Sequence, residues 1–205
     1  MFKGTPELIE KRREEIINAC ERLYQTMSFK EITLKEIGNV TSFSRPTIYN
    51  YFQTKEEIFL ALYEKEYIRW NEDLEEILNS VKKFTKTSFA DKIARSLEKR
   101  FMLLKLMAMN NYDMEENSRL DCLISFKLAY LKSINLFSQL LTKFNPLLTK
   151  KEINDIVYMF FPFIYALYPY SYVTAKQKTA MERAGHIWND NTIYKLTYNF
   201  IIKIL

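Results

Sequence analysis

Residues that favour turns are scarce: the 205-residue chain has three glycines and five prolines. An all-β sandwich or barrel needs a turn signal about every 8–12 residues, and this supply cannot provide one. Gly4, Gly38 and Gly185 also stand too far apart to form a phosphate-cradling loop. The chain is therefore expected to be built from helices. Hydrophobic residues make up 48% and charged residues 27%, the balance of a folded soluble protein with a sizeable core and not of a disordered one. One histidine and two cysteines cannot make a His/Cys metal site without carboxylates, so no metal and no cofactor are expected. Cys20 and Cys122 read as small buried apolar residues. Met1–Lys11 lacks the apolar core of a signal peptide. The most apolar run, Ile156–Val173, is interrupted by Pro162 and Pro169 and carries five tyrosines, which argues for a kinked buried helix and not a membrane span. A cytoplasmic protein is expected.

Capping signals divide the chain. Thr5-Pro6 opens a first helix with an apolar stripe at Ile16, Cys20, Leu23 and Met27. Lys11, Arg12 and Arg13 lie near its start, and either a solvated face or a phosphate contact fits them. Thr33 and Glu36 form a capping box for a short helix ending near Val40. Thr41-Ser42-Phe43 is a turn, Ser44 the next N-cap, and Arg45–Phe52 a second short helix. Thr54 and Glu57 cap a long helix running to about Lys82, with Ile58, Leu62, Trp70, Leu74, Ile77 and Val81 on its buried face. Helices follow over Ser88–Met107, along the stripe Leu123, Phe126, Tyr130, Ile134, Phe137, Leu141 and Phe144, and after the Thr149/Glu152 box. A polar connection, about Thr174–Asn191, leads to a last helix with Ile193, Leu196, Phe200 and Ile204.

Two short helices joined by a three-residue turn make a helix-turn-helix. The first braces across a DNA backbone, and the second offers its N-terminal residues to base edges in the major groove. Ile37, Val40, Phe43 and Ile48 are spaced to pack the pair. Arg45, Pro46, Thr47, Tyr49 and Asn50 then face outward, with Ser44 at the helix start. Arginine forks onto guanine, asparagine pairs with adenine, and Thr and Pro touch thymine methyls. Tyr51 and Lys55 are expected to flank them as phosphate donors. No Asp or Glu occurs from Ile37 to Lys55, although the net charge is only +5. An acid-free window is what approaching phosphates require.

The run Ile32-Thr-Leu-Lys-Glu-Ile-Gly, with Ile48-Tyr-Asn-Tyr-Phe52 and Lys55-Glu-Glu-Ile58, resembles the N-terminal domain of TetR/AcrR transcriptional regulators over about Glu14–Tyr63. The resemblance implies an all-α fold. A three-helix DNA-binding domain, residues 1–54, would precede a larger helical domain, 55–205, for ligand binding and dimerisation. It also implies that Thr33 and Lys35 touch phosphates or reach a base, that Tyr51 replaces a phosphate-binding histidine, and that Lys55 is the family's lysine. Two positions depart from the family pattern. Thr41-Ser42 stands where Ala-Gly is usual, and a left-handed Ser42 would cost about 1 kcal/mol. Gly38 replaces an alanine, at about 1 kcal/mol of helix propensity.

Residues 98–170 are rich in Met, Phe and Tyr, which re-pack around irregular apolar ligands. For any one of them plain core is the simpler explanation. The family cavity makes Phe101, Tyr130, Phe161 and Tyr165 candidates for lining it. An enzyme is disfavoured: His186 has no Ser or Cys partner at a telling spacing. A dimeric helical ligand-binding or interaction protein without operator binding is the remaining alternative, and a recognition helix that keeps Arg45, Thr47, Asn50 and Lys55 argues against it. The expected protein is a DNA-binding regulator, a repressor by preference, that binds a palindromic operator in double-stranded DNA as a homodimer. An apolar or amphipathic small-molecule effector is expected to release it.

Overall fold

The computed structural model describes residues 5–80, 82–109, 111–186 and 191–205. Val81, placed by the sequence on the buried face of the long helix, lies outside them. Among the described residues the chain is all-α, with no strand. Contacts divide it into two compact units, Met1–Glu66 with Asn110–Tyr130, and Tyr67–Met109 with Leu131–Leu205.

The first unit begins with α1 (Pro6–Thr26), α2 (Leu34–Asn39) and α3 (Arg45–Ile48). It continues into α4 (Lys55–Ser80) and takes in α7 (Asn111–Glu116) and the start of α8 (Leu120–Phe144). Thr5 caps α1 by accepting from the Leu8 N–H at 3.3 Å. Thr33 caps α2 in the same way from the Glu36 N–H, also at 3.3 Å. The core is Ile16, Cys20 and Tyr24 of α1, Ile37 of α2, Ile48 of α3, and Phe52, Ile58, Phe59 and Tyr63 around the start of α4. Phe59 receives Tyr24 and Phe29 edge-on at 5.1 and 4.8 Å.

In the second unit, α5 (Lys86–Glu98) and α6 (Phe101–Met107) precede α9 (Lys150–Ser171), α10 (Ala175–Arg183) and α11 (Ile193–Ile204). α11 packs on α5 and α9, and α6 on α9. Aromatic rings fill the centre: Phe137 stacks on Phe160 at 4.1 Å, and Trp70 lies 6.1 Å from Phe161. The buried indole N–H donates to Ser96 Oγ at 3.1 Å.

Several expectations change. The helix expected over Ser88–Met107 starts at a Thr85/Ser88 capping box and breaks at Lys99-Arg100. Both cations of that break turn onto the buried Asp73 carboxylate, at 2.6 and 2.5 Å. The polar connection contains α10, capped by Thr174 and ended by Gly185 at φ 84°. The last helix buries Ile193, Thr197 and Ile201, whereas Leu196, Phe200 and Ile204 are half-buried. α9 does open on the Thr149/Glu152 box and holds both prolines within it. Cys20 is buried, and desolvation pushes its thiol far above the ordinary value. Cys122 is only half-buried.

Candidate nucleic-acid interface

The bracing and recognition helices pack through Ile37 and Ile48, both inaccessible to solvent. Val40 does not join them: it is exposed, and its carbonyl accepts from the Arg22 guanidinium at 3.2 Å. The turn between the helices is held from outside. Thr41 Oγ1 donates to the carbonyls of Gly38 and Phe43, both at 3.1 Å. The Glu15 carboxylate on α1 accepts the Ser42 N–H at 2.5 Å and the Ser42 hydroxyl at 3.0 Å. Ser42 is not left-handed, for Gly185 has the only positive φ among the described residues. The expected cost of a serine there does not arise.

The recognition segment is shorter as a helix than Arg45–Phe52. Regular α3 ends at Ile48, and the chain winds on through i→i+3 bonds, Asn50 N–H to the Thr47 carbonyl at 3.1 Å and Tyr51 N–H to the Ile48 carbonyl at 2.8 Å. Tighter winding at a helix end is a common way to satisfy its last carbonyls. Ser44, Arg45, Pro46, Tyr49 and Asn50 are exposed and Thr47 is half-buried; Thr33, the cap of α2, and Lys35 in its first turn are exposed. The Ser44 and Thr47 hydroxyls pair at 3.3 Å. Arg45 Nη2 donates to the Tyr49 hydroxyl at 3.0 Å, with the guanidinium 5.7 Å from the centre of that ring. Residues 44–50 lie in a stretch of sequence without Asp or Glu and are presented at the start of α3, where a major groove would be read.

Tyr51 and Lys55 do not share it. Tyr51 is 6% exposed, and its hydroxyl accepts from Arg12 at 3.2 Å. Its ring is drawn in because Phe43 lies 6.4 Å away. Lys55 points back along the protein and donates to the carbonyls of Phe29 and Ile32 at 2.8 and 3.3 Å. Both side chains brace the segment in this structure, and neither stands free toward a phosphate. Arg12 and Arg13, left open between two roles by the sequence, brace it too: Arg13 covers the Phe52 ring at 4.7 Å.

Sequence reasoning missed Glu57 and Arg119. The local spacing pairs Glu57 with Thr54 as a capping box. The Thr54 hydroxyl does accept the Glu57 N–H at 3.2 Å, but the Glu57 carboxylate takes the Gln53 N–H at 2.7 Å and the Arg119 side chain at 2.7 and 3.0 Å. Burial raises its proton affinity, and the bonds from Arg119 and Gln53 outweigh this and hold the carboxyl below its ordinary range. Nothing in local spacing announces a partner 62 positions away.

Of the candidate cavity residues, Phe161 is buried against Trp70, Phe137 and Phe160. Phe101 meets Tyr168 and Tyr172 edge-on at 5.4 and 4.9 Å. Tyr165 on α9 is half-buried in the same unit; half-buried Tyr130 belongs to the other. No group of three or more metal-ligating side chains occurs among the described residues. No single helix among them is long and apolar enough to cross a membrane.

An all-α chain with a helix-turn-helix near its start and a helical remainder defines a class of DNA-binding regulators, and comparison with known proteins agrees. Residues 16–62 match "Bacterial regulatory proteins, tetR family", and residues 64–189 match "Tetracyclin repressor-like, C-terminal domain". The chain belongs to the TetR family of transcriptional regulators. The uncharacterized HTH-type transcriptional regulator YfiR of Bacillus subtilis (strain 168) is 34% identical over 62 residues, a match spanning 30% of each chain. Two solved structures share the fold. The fatty acid degradation regulator FadR from Bacillus halodurans has a TM-score of 0.55 at 14% identity, covering 98% of this chain and 97% of that one. The transcriptional regulator FadR from Bacillus subtilis, in complex with stearoyl-CoA, has a TM-score of 0.56 at 18% identity, covering 93% and 95%.

Proposed function

We propose that the protein is a ligand-responsive cytoplasmic repressor. Two copies dock their recognition segments into successive major grooves of a palindromic operator, about 34–36 Å apart. An apolar or amphipathic small molecule in the larger helical domain changes that separation and releases the DNA. The functional division is residues 1–54 for DNA and 55–205 for ligand and dimer. The observation that carries the DNA part is the exposed start of α3, Ser44-Arg45-Pro46-Thr47 with Tyr49 and Asn50, inside a stretch without acids. Arg45, Thr47 and Asn50 read bases, while Thr33 and Lys35 at the start of α2 hold the backbone. Dimerisation through α9 and α11 is supported by exposed Tyr158, Met159 and Tyr170 on α9 and by the half-buried apolar side chains of α11. Stearoyl-CoA in the Bacillus subtilis FadR structure supports an amphipathic effector class. Phe101, Phe161 and Tyr165, all on the second unit, remain the proposed lining.

Footprinting of the DNA upstream of the gene and its neighbours tests this reading. Protection of two half-sites related by a dyad is expected. A purified, folded protein that protects no sequence in preference to bulk DNA overturns it.

A further inference from the structure

We propose that the turn at Asn117–Arg119 is a positioning element for DNA recognition, with Arg119 as the residue that sets the pose of the recognition segment. The inference rests on the DNA-reading role proposed for residues 44–50. The turn between α7 and α8 bonds repeatedly onto the short stretch that links that segment to α4. The Thr54 hydroxyl, which caps α4, donates to the Asn117 carbonyl at 2.8 Å. The Arg119 N–H donates to Glu57 Oε1 at 3.1 Å. The Arg119 guanidinium forks onto both Glu57 oxygens, and Nη2 also reaches the Tyr51 carbonyl at 3.4 Å. Tyr51 ends the winding that follows the DNA-reading residues, so one guanidinium holds the carbonyl just beyond them and the first turn of the next helix.

The chemistry makes this joint stiff. The Glu57 side chain is 1% exposed. A carboxylate so buried is stable only when its charge and its lone pairs are matched. Arg119 supplies the charge in a two-pronged geometry that fixes direction as well as distance. The Gln53 N–H fills a further acceptor site at 2.7 Å. Packing does not complete the joint, because a cleft of about 450 Å³ lined by Arg13, Asn50, Glu64, Arg119 and Asp121 opens beside it. The α7–α8 segment has separate apolar anchors: Met114 is buried, and Phe126 meets the Tyr63 ring at 4.8 Å. Removing the guanidinium therefore leaves the segment attached and removes its aim.

The test compares wild type with Arg119→Gln, Arg119→Lys, Glu57→Gln and the Arg119→Gln/Glu57→Gln double variant. It reads amide hydrogen exchange without DNA, and affinity for the footprinted operator against random duplex. Each Gln variant is expected to lose about tenfold or more in operator affinity, and the double variant no more than the worse single one, the signature of a coupled pair. Random-duplex affinity should stay within about threefold, since the phosphate contacts remain. Exchange should accelerate at amides 50–57 and not in α1 or at 58–66. Arg119→Lys, which keeps the charge without the fork, should fall between and serves if a Gln variant does not fold. Unchanged operator affinity in a folded variant overturns the proposal, as does acceleration spread evenly over the chain. A wild type with no sequence preference overturns the DNA reading itself, and the exchange pattern tells the two failures apart.

Discussion

The Lys55 ammonium stands 4.0 Å from the centre of the Phe29 ring while donating to the Phe29 carbonyl. The first residue of α4 is thereby bolted to the turn after α1. A lysine so placed stabilises the DNA-binding unit from within. Lys55→Ala is expected to cost about 1–3 kcal/mol, the scale for losing charged hydrogen bonds to partly buried carbonyls. Thermal melts should show the loss, while the slope of log affinity against log salt stays unchanged. A slope shallower by about one unit with an unaltered melt would assign Lys55 to a phosphate instead.

Arg45 is exposed at the start of α3, and its bond to Tyr49 is a solvent-screened one. Arg45→Ala should leave stability nearly unchanged, cost about 1–3 kcal/mol of operator binding and relax preference at one base pair per half-site. Binding titrations over single-base operator variants check this. Uniform loss across all variants would make Arg45 a phosphate clamp.

Gly38 is not required by its surroundings. A Cβ there would meet the Arg45 N at 3.4 Å and the Ile48 Cδ1 at 3.7 Å, ordinary contacts. Gly38→Ala should therefore gain about 0.5–1 kcal/mol of helix propensity. In a chain of this size that raises Tm by about 1–4 °C. A lower Tm would show that the α2–α3 approach has no room to give.

Phe200 stacks on Phe163 at 3.9 Å with rings 2° from parallel, and both remain half-buried. A partner copy would complete their burial. Sedimentation should give twice the 24.6 kDa chain mass at micromolar concentration. Ile204→Asp, also half-buried and near the chain end, should dissociate it and weaken operator binding. A wild-type monomer at that concentration would remove the dimer from the proposed function.

The Glu57 carboxyl is held below its ordinary value of 4.5 in the folded protein. A depressed carboxyl stabilises the fold above its unfolded pKa, and that contribution fades as pH falls through the folded pKa. Urea unfolding of wild type and Glu57→Gln as a function of pH measures it. The gap between their midpoints should be widest near neutrality and narrow below about pH 4.5. A pH-independent gap would leave the depression unsupported.

The all-α fold and the helix-turn-helix were legible in the sequence because their signals are local. Thr5, Thr33, Thr149 and Ser44 announce helix starts through their own neighbours, and a paucity of glycine excludes the alternatives. The exposed character of Arg45 and Asn50 followed from their spacing against Ile48. Helix α10 has no legible signature because it is mostly polar and none of its residues is buried, so no periodic stripe marks it. The tertiary structure alone decided which polar side chains brace and which remain free. Lys55, Tyr51 and Arg12 carry the residue types of phosphate donors, and only the position of Phe29, Ile32 and Phe43 turns them inward. Arg119 looks like any surface cation at a helix start until the fold brings a buried carboxylate to it. Burial and partner distance are properties of the folded chain, and a charge's role depends on both.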